Sequence, residues 1–237
     1  MCKRILLKVR SRRWMAMAVL SLLIIPCSLF IGTAGAQDNI YLFKTLDAKD
    51  GLTSSQINCI LKDGRGYIWF GTAAGLYRFD GYTFKNFQCD SQDGSSLPDS
   101  YIYSIQEALD GTLWIHTPAG YCVYHPQTET FERDMKQTFA RMGIESIPKI
   151  VYIDKHKNVW GSIPNKGVVC YNMQQQLLYE FPNTDDSKGV GIPQGTVCSI
   201  SECRDGALIV YDDGRVVCCD VMHQQHTVWR TYVIYKF

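Results

Sequence analysis

"GYIWFGTAAGLYRFDG", from Gly66 to Gly81, is the stretch that decides the fold, because the chain repeats it in progressively weaker form. One copy, "GTLWIHTPAGYCVYHP", covers 111–126, and a weaker one, "KNVWGSIPNKGVVCYN", covers 157–172. The three copies carry tryptophans that are 45 and 46 residues apart, at Trp69, Trp114 and Trp160. A fourth unit has no tryptophan at the corresponding position and is anchored at Ile209, 49 residues further on, in "DGALIV". Self-similarity at such a period is typical of repeat folds.

Each copy belongs to a unit of four short apolar runs, and turn pairs such as Asp63-Gly64 and Asp110-Gly111 separate the runs. Aspartate bonds locally to the backbone and glycine tolerates positive φ, so these pairs favour tight hairpins. Four strands at a period near 45 are typical of a β-propeller blade. We therefore predict an all-β propeller of about four four-stranded blades, over residues 50–88, 97–132, 146–181 and 195–232.

The pattern also predicts where the strands of a blade lie. The run "INCI", ending at Ile60, should be the innermost strand and line the central channel. The next strand carries the tryptophan, which should wedge between neighbouring blades, because a lone blade buries little and exposes both edges. One connection, Phe131 to Met142, has apolar residues at helical spacing and could hold a short helix.

The first 36 residues have the layout of a secretory signal peptide. Six Lys and Arg side chains precede an apolar run from Trp14 to about Ile31, and "TAGAQ" offers a cleavage site between Ala36 and Gln37. An uncleaved membrane anchor is the alternative, since the run is about long enough to span a bilayer. Without this segment, 18 basic face 23 acidic side chains, a net charge of −5. Such a surface argues against a nucleic-acid partner, and residues 37–237 are expected to act in the periplasm.

The ten cysteines do not form a dense disulfide framework. Two lie in the leader, and most of the others lie in strand-like runs where cysteine acts as a small buried hydrophobe. Cys198 and Cys203, with the Cys218-Cys219 pair, fit no common zinc spacing. Packing is the main expectation, a disulfide remains an alternative, and no metal or other cofactor is predicted.

Residues 43–87 closely resemble the two-component regulator propeller repeat. The resemblance rests on "DGLTS" at Asp50–Ser54 with Ser55 following, "DGRGYIWFGT" at Asp63–Thr72, and "GLYRFDG" at Gly75–Gly81. It weakens through the later units and covers residues 40–232. In that family such repeats open the periplasmic sensors of Bacteroidetes hybrid two-component systems, which contain seven-bladed propellers followed by histidine kinase, receiver and DNA-binding parts. The resemblance implies that this chain is an N-terminal fragment, four blades of an incomplete seven-bladed ring.

The sequence is compatible with three functions for this chain. The resemblance favours a non-catalytic sensor segment that binds a glycan-derived oligosaccharide and pairs with the remaining blades of the sensor or with a second copy. Its ligand residues are unknown, although the polar loops 88–100 and 182–195 are candidates, since function often lies on loops. A structural remnant without independent function is the second reading. A carbohydrate-active enzyme is the third, but no catalytic residues are assigned: the acidic pairs Asp185-Asp186 and Asp212-Asp213 are adjacent rather than set across a cleft, and the histidines His116, His125, His156, His223 and His226 are scattered over different units.

Overall fold

Four antiparallel sheets follow one another along the chain in the computed structural model, which describes residues 45–184, 191–203, 206–221 and 225–229. The first sheet contains β1 (Ile57–Lys62), β2 (Ile68–Thr72), β3 (Gly75–Phe79) and β4 (Phe84–Phe87). The second contains β5 (Ser104–Glu107), β6 (Leu113–Thr117), β7 (Gly120–His125) and β8 (Thr130–Glu132).

The third sheet contains β9 (Ile150–Ile153), β10 (Val159–Ile163), β11 (Gly167–Asn172) and β12 (Leu177–Thr184). The short β13 (Ile192–Pro193) adds in parallel to β12. The fourth sheet contains β14 (Val197–Cys203), β15 (Gly206–Tyr211), β16 (Val216–Asp220) and β17 (Gln225–Trp229). Each sheet has its strands in sequence order, as hairpin-connected propeller blades do. We number the sheets blades 1 to 4.

The first strand of every blade is the innermost one. β1 contacts β5, β5 contacts β9, and β9 contacts β14, so these four strands stand side by side around the axis. The prediction that "INCI" is an innermost strand is therefore confirmed, and Ile60 at the end of this run is 63% exposed. The fold class, an all-β arrangement of four four-stranded propeller blades, is also confirmed.

A helix, α1 (Met135–Arg141), connects blades 2 and 3. It begins at Asp134, whose side chain accepts hydrogen bonds from the backbone N–H groups of Lys136 and Gln137, as an N-cap does. Met135 and Phe139 bury one face of the helix against Trp114, whose ring centroid is 5.6 Å from that of Phe139. The predicted helix is confirmed, but its first apolar residue, Phe131, lies in β8 instead.

The core consists of apolar layers between consecutive blades. Trp69 and Leu76 of blade 1 pack against Leu113 and Ile115 of blade 2, and Trp69 lies edge-on to Tyr124 with centroids 5.1 Å apart. The same kind of layer joins blade 2 to blade 3 and blade 3 to blade 4, around the remaining tryptophans Trp114 and Trp160. Each tryptophan thus faces the blade that follows it.

Ile209 does not occupy the tryptophan position of blade 4. Trp69 and Trp160 pair with Leu61 and Tyr152 on the innermost strands, and the corresponding partner pair in blade 4 is Ser201 with Leu208. Ile209 is fully buried against blade 3, the preceding blade, whereas the tryptophans face forward. A shift of one residue turns a strand side chain to the opposite face, so the fourth anchor is corrected to Leu208.

The predicted signal peptide, with its predicted cleavage site between Ala36 and Gln37, lies outside the described residues. Within the part of the chain that the structure describes, no helix is long and apolar enough to cross a membrane.

Candidate functional site

A cleft of about 710 Å³ opens between the innermost strands of the four blades. It is lined by residues of β1, β5, β9 and β14, by residues that follow β9, and by His116 of β6 and Tyr121 of β7. The polar and aromatic members of its lining are Lys62, Ser104, Gln106, Glu107, His116, Tyr121, Tyr152, Asp154, Lys155, Lys157, Ser199 and Glu202. The cleft therefore offers many hydrogen-bonding groups on an apolar floor.

Paired charges occupy one end of the cleft, where the innermost strands turn outward. Glu107 accepts a hydrogen bond from the Gly64 backbone N–H of blade 1 at 2.7 Å and one from Lys157 Nζ of blade 3 at 3.1 Å. It therefore links three blades. Glu202 of blade 4 accepts from the Tyr152 hydroxyl at 2.8 Å and from the Lys155 backbone N–H at 3.2 Å.

The two glutamates occupy equivalent positions in their blades. Each follows an innermost-strand isoleucine by two residues, in "IQE" and "ISE". Each accepts the N–H of the residue after a buried aspartate, Asp63 or Asp154, in the preceding blade. Burial alone would raise the pKa of Glu202, but the hydrogen bonds from Tyr152 and Lys155 outweigh it and the pKa is lowered. The glutamate and the backbone N–H group that donates to it therefore both lie at fixed positions of the repeat.

Gln106 joins blades 2 and 3 in the middle of the cleft. Its Oε1 accepts from the Ile153 backbone N–H at 2.6 Å, and its Nε2 donates to the Val151 carbonyl at 3.2 Å. The amide side chain thus pairs with β9 as a strand would, and it satisfies two backbone groups that face the cleft.

An aromatic row extends from the cleft lining, to which its members His116 and Tyr121 belong, outward to Tyr103 and Tyr101. Ring centroids are 5.2 Å apart for Tyr101 and Tyr103, 5.1 Å for Tyr103 and His116, and 4.3 Å for His116 and Tyr121, the last pair being stacked. The hydroxyl of Tyr121 accepts from the Val151 backbone N–H at 3.0 Å. Burial lowers the pKa of His116, which keeps its ring neutral at pH 7. Tyr103 is 49% exposed and could stack on a ligand.

The predicted anchors Trp69, Trp114 and Trp160 lie in the layers between blades, away from the cleft lining, and are at most 3% exposed. The indole N–H groups of Trp69 and Trp160 donate to Oδ2 of Asp63 and Asp154, each at 2.9 Å. In blade 2 the aspartate position holds Ala108. These aromatic residues pack the blades together.

Arg133 makes several of the hydrogen bonds that hold the loop 88–100 to the protein. Arg133 donates to the carbonyls of Ser96, Asp93 and Leu97 at 2.8, 3.0 and 2.8 Å, and Leu97 is fully buried. The second candidate loop, 182–195, lies partly outside the described residues. The residues of these loops that the structure describes, 88–100, 182–184 and 191–195, do not line the cleft described above.

The described histidines and acidic pairs do not come together. His116 lies in the cleft, whereas Nε2 of His125 lies 3.1 Å from Glu132 on the outer strands. Asp213 accepts from the Arg215 backbone N–H in a turn of blade 4. His223 and Asp185-Asp186 fall outside the described residues, as does the His226 side chain. Within the described ranges, no group of three or more His, Cys, Asp and Glu side chains could hold a metal ion.

Sequence reasoning missed the residues that join the blades inside the cleft, Gln106, Glu107 and Glu202. The "Ile-x-Glu" spacing of Glu107 and Glu202 was a usable signal once the innermost strands were aligned. The sequence around Gln106 gave no such signal, because the partners of its side chain are backbone groups of the next blade.

Comparison with known proteins supports the repeat assignment. The family model described as "Two component regulator propeller" matches residues 51–74. A 62-residue stretch is 39% identical to "Histidine kinase P4" of Formosa agariphila and covers 26% of this chain and 4% of that protein.

Among solved structures, the extracellular domain assigned to the hybrid two component system BT3049 of B. thetaiotaomicron superimposes with a TM-score of 0.56 at 18% identity. The match covers 80% of this chain and 26% of that one. The extracellular domain assigned to the one component system BT4673 of the same organism gives a TM-score of 0.45 at 15% identity, over 73% and 25% of the two chains. The chain therefore spans about a quarter of these domains and far less of the curated kinase. Residues 51–74 are thus similar to the two component regulator propeller repeat, and the blade architecture is similar to that of the BT3049 extracellular domain.

Proposed function

We propose that this chain is a non-catalytic, ligand-sensing part of the periplasmic region of a hybrid two-component signalling protein. The observation that carries the proposal is the family match at residues 51–74 in a propeller whose innermost strands line an open cleft. The relatives named above are a histidine kinase and the extracellular domain of a hybrid two component system. The remaining blades of such a sensor, or a second copy of it, would be its protein partners.

We further propose a glycan-derived oligosaccharide as the ligand. Sugars present many hydroxyls and an apolar ring face, so they are bound by mixed donors and acceptors together with an aromatic platform. The cleft lining supplies polar groups such as Gln106, Glu107 and Glu202. The half-exposed Tyr103, whose ring centroid is 5.1 Å from that of His116 in the lining, supplies the platform. Lysines balance the glutamates at its charged end, which favours a neutral ligand.

Calorimetric titration of the full chain with a panel of neutral oligosaccharides, prepared by partial hydrolysis of plant and host glycans, tests this proposal. Tyr103→Ala should weaken the binding of any active sugar about tenfold, or about 1.4 kcal/mol, by removing its stacking surface. Tyr82→Ala is the matched control, since Tyr82 is 89% exposed in the turn between β3 and β4 and belongs neither to the cleft lining nor to the aromatic row. Equal loss in both variants, or no heat with any sugar, would count against the cleft as a sugar site.

A further inference from the structure

Two cysteines meet on the face of blade 4 that points away from blade 3. The Sγ atoms of Cys203, at the end of β14, and Cys218, in β16, are 2.9 Å apart. A disulfide bond is about 2.05 Å long, so the two sulfurs need to approach by less than 1 Å to reach bonding distance. Both residues are half-buried, which leaves them within reach of a small oxidant.

The repeat explains why these two side chains meet. Cys203 stands where blades 1 and 3 carry the buried aspartates Asp63 and Asp154, whose carboxylates turn over the sheet to accept an indole N–H. Blade 4 has Leu208 at the tryptophan position, so this hydrogen bond has no counterpart there. Gly206, beside Cys203 on β15, has no side chain to separate Cys203 from β16.

Cys218 pairs with Leu208 across β15 and β16, as Cys170 pairs with Trp160 in blade 3. It therefore points to the same face as Cys203. Blade 4 has replaced the aspartate–indole contact of blades 1 and 3 with a pair of thiols that face each other.

We propose that Cys203 and Cys218 form an intramolecular disulfide that ties β14 to β16 across β15. The oxidant is a small or protein disulfide: one thiolate attacks it, the mixed disulfide is then attacked by the second cysteine, and the oxidant leaves as two thiols. The two cysteines together lose two hydrogen atoms. An oxidising compartment outside the cytoplasm would supply such an oxidant.

The neighbouring cysteines provide matched controls. Cys198 is exposed on the innermost strand, and Cys219 is buried in the layer between blades 3 and 4 on the opposite face from Cys218. Burial, with smaller contributions from Cys218 and Cys203, raises the pKa of Cys219 to about 12, which keeps it a thiol.

The test is oxidation of the full chain, purified in reduced form, with a glutathione redox buffer, followed by acid quenching, alkylation and tryptic peptide mapping. Trypsin releases 189–204 with Cys198 and Cys203, and 216–230 with Cys218 and Cys219. The wild-type chain, Cys198→Ser and Cys219→Ser should yield these two peptides joined. Cys203→Ser and Cys218→Ser should yield them separate.

A wild-type chain that keeps all ten thiols would overturn the proposal, as would a link that persists in Cys203→Ser or Cys218→Ser. Circular dichroism before oxidation shows whether each variant is folded, and Cys203→Ala and Cys218→Ala provide second variants at both positions. As an independent readout, adding reductant should lower the melting temperature of the oxidised wild-type chain and leave that of the Cys203→Ser/Cys218→Ser double variant unchanged. Equal shifts in both would also overturn the proposal.

Discussion

At the residue scale, one buried carboxylate organises the first hairpin of blade 1. Asp63 is 4% exposed and accepts hydrogen bonds from the backbone N–H groups of Arg65 and Tyr67 at 3.0 and 2.9 Å. It also accepts the indole N–H of Trp69 at 2.9 Å. The same side chain therefore closes the turn and fixes the orientation of the tryptophan that packs against blade 2.

Replacing this carboxylate should be costly. Asp63→Ala leaves the buried indole N–H of Trp69 and two partly buried backbone N–H groups without this acceptor, and we expect it to lower the free energy of unfolding by about 3 kcal/mol. Asp110→Ala is the control: Asp110 is an exposed turn residue that accepts from the Thr112 backbone N–H at 3.0 Å, and its loss should cost less than about 1 kcal/mol. Urea unfolding measures both, and equal losses would contradict a special role for Asp63.

At the scale of elements, the Gln106 side chain connects β5 to β9 by hydrogen-bonding to the β9 backbone as a neighbouring strand would. Gln106→Ala removes both the acceptor for the Ile153 N–H and the donor to the Val151 carbonyl. We expect a loss of about 2 kcal/mol in unfolding free energy, with faster hydrogen exchange at the Ile153 amide. Gln56→Ala, at an exposed position, should change neither quantity. An unchanged exchange rate in Gln106→Ala would show that the side chain does not protect this amide.

The strands could be predicted from the sequence because tryptophans, apolar runs and Asp-Gly turns mark them locally. The anchor of blade 4 could not be placed to the residue. Its anchor strand β15 has no tryptophan and its β14–β15 hairpin is shorter, so Ile209 and Leu208 look alike in sequence, and only strand pairing separates them. The residues that join the blades in the cleft were harder to predict than the strands. Gln106, Glu107 and Glu202 resemble ordinary polar strand residues until the neighbouring blade, one repeat away, supplies their partners.

At the scale of the whole molecule, carboxylates connect one blade to the next. Glu129, in the turn after β7 of blade 2, forms ion pairs with Lys85 and Arg78 of blade 1. The hydrogen bond from Lys85, followed by that from Arg78, lowers the pKa of Glu129 below its ordinary value of 4.5. Glu202 connects blades 3 and 4, and its pKa is lowered as well.

Acid should therefore loosen the contacts between blades. A carboxylate with a lowered pKa in the folded state stabilises the protein above the pKa of the unfolded chain, and that contribution is lost as pH falls through the folded value. The unfolding free energy should be nearly level above about pH 5 and fall below about pH 4.5. Urea unfolding at several pH values should show a shallower fall for Glu129→Gln and Glu202→Gln. Glu180→Gln, at an exposed site on β12, should follow the wild type.

The contacts that Gln106, Glu107, Glu129 and Glu202 make between blades have a kinetic consequence. They join residues 43 to 51 positions apart, which is about one repeat. Because the entropy of closing a loop depends on its length, every blade meets nearly the same entropic barrier when it docks on its predecessor. Folding can then advance along the chain one repeat at a time, and we expect its rate to depend on the length of a repeat rather than on the number of blades.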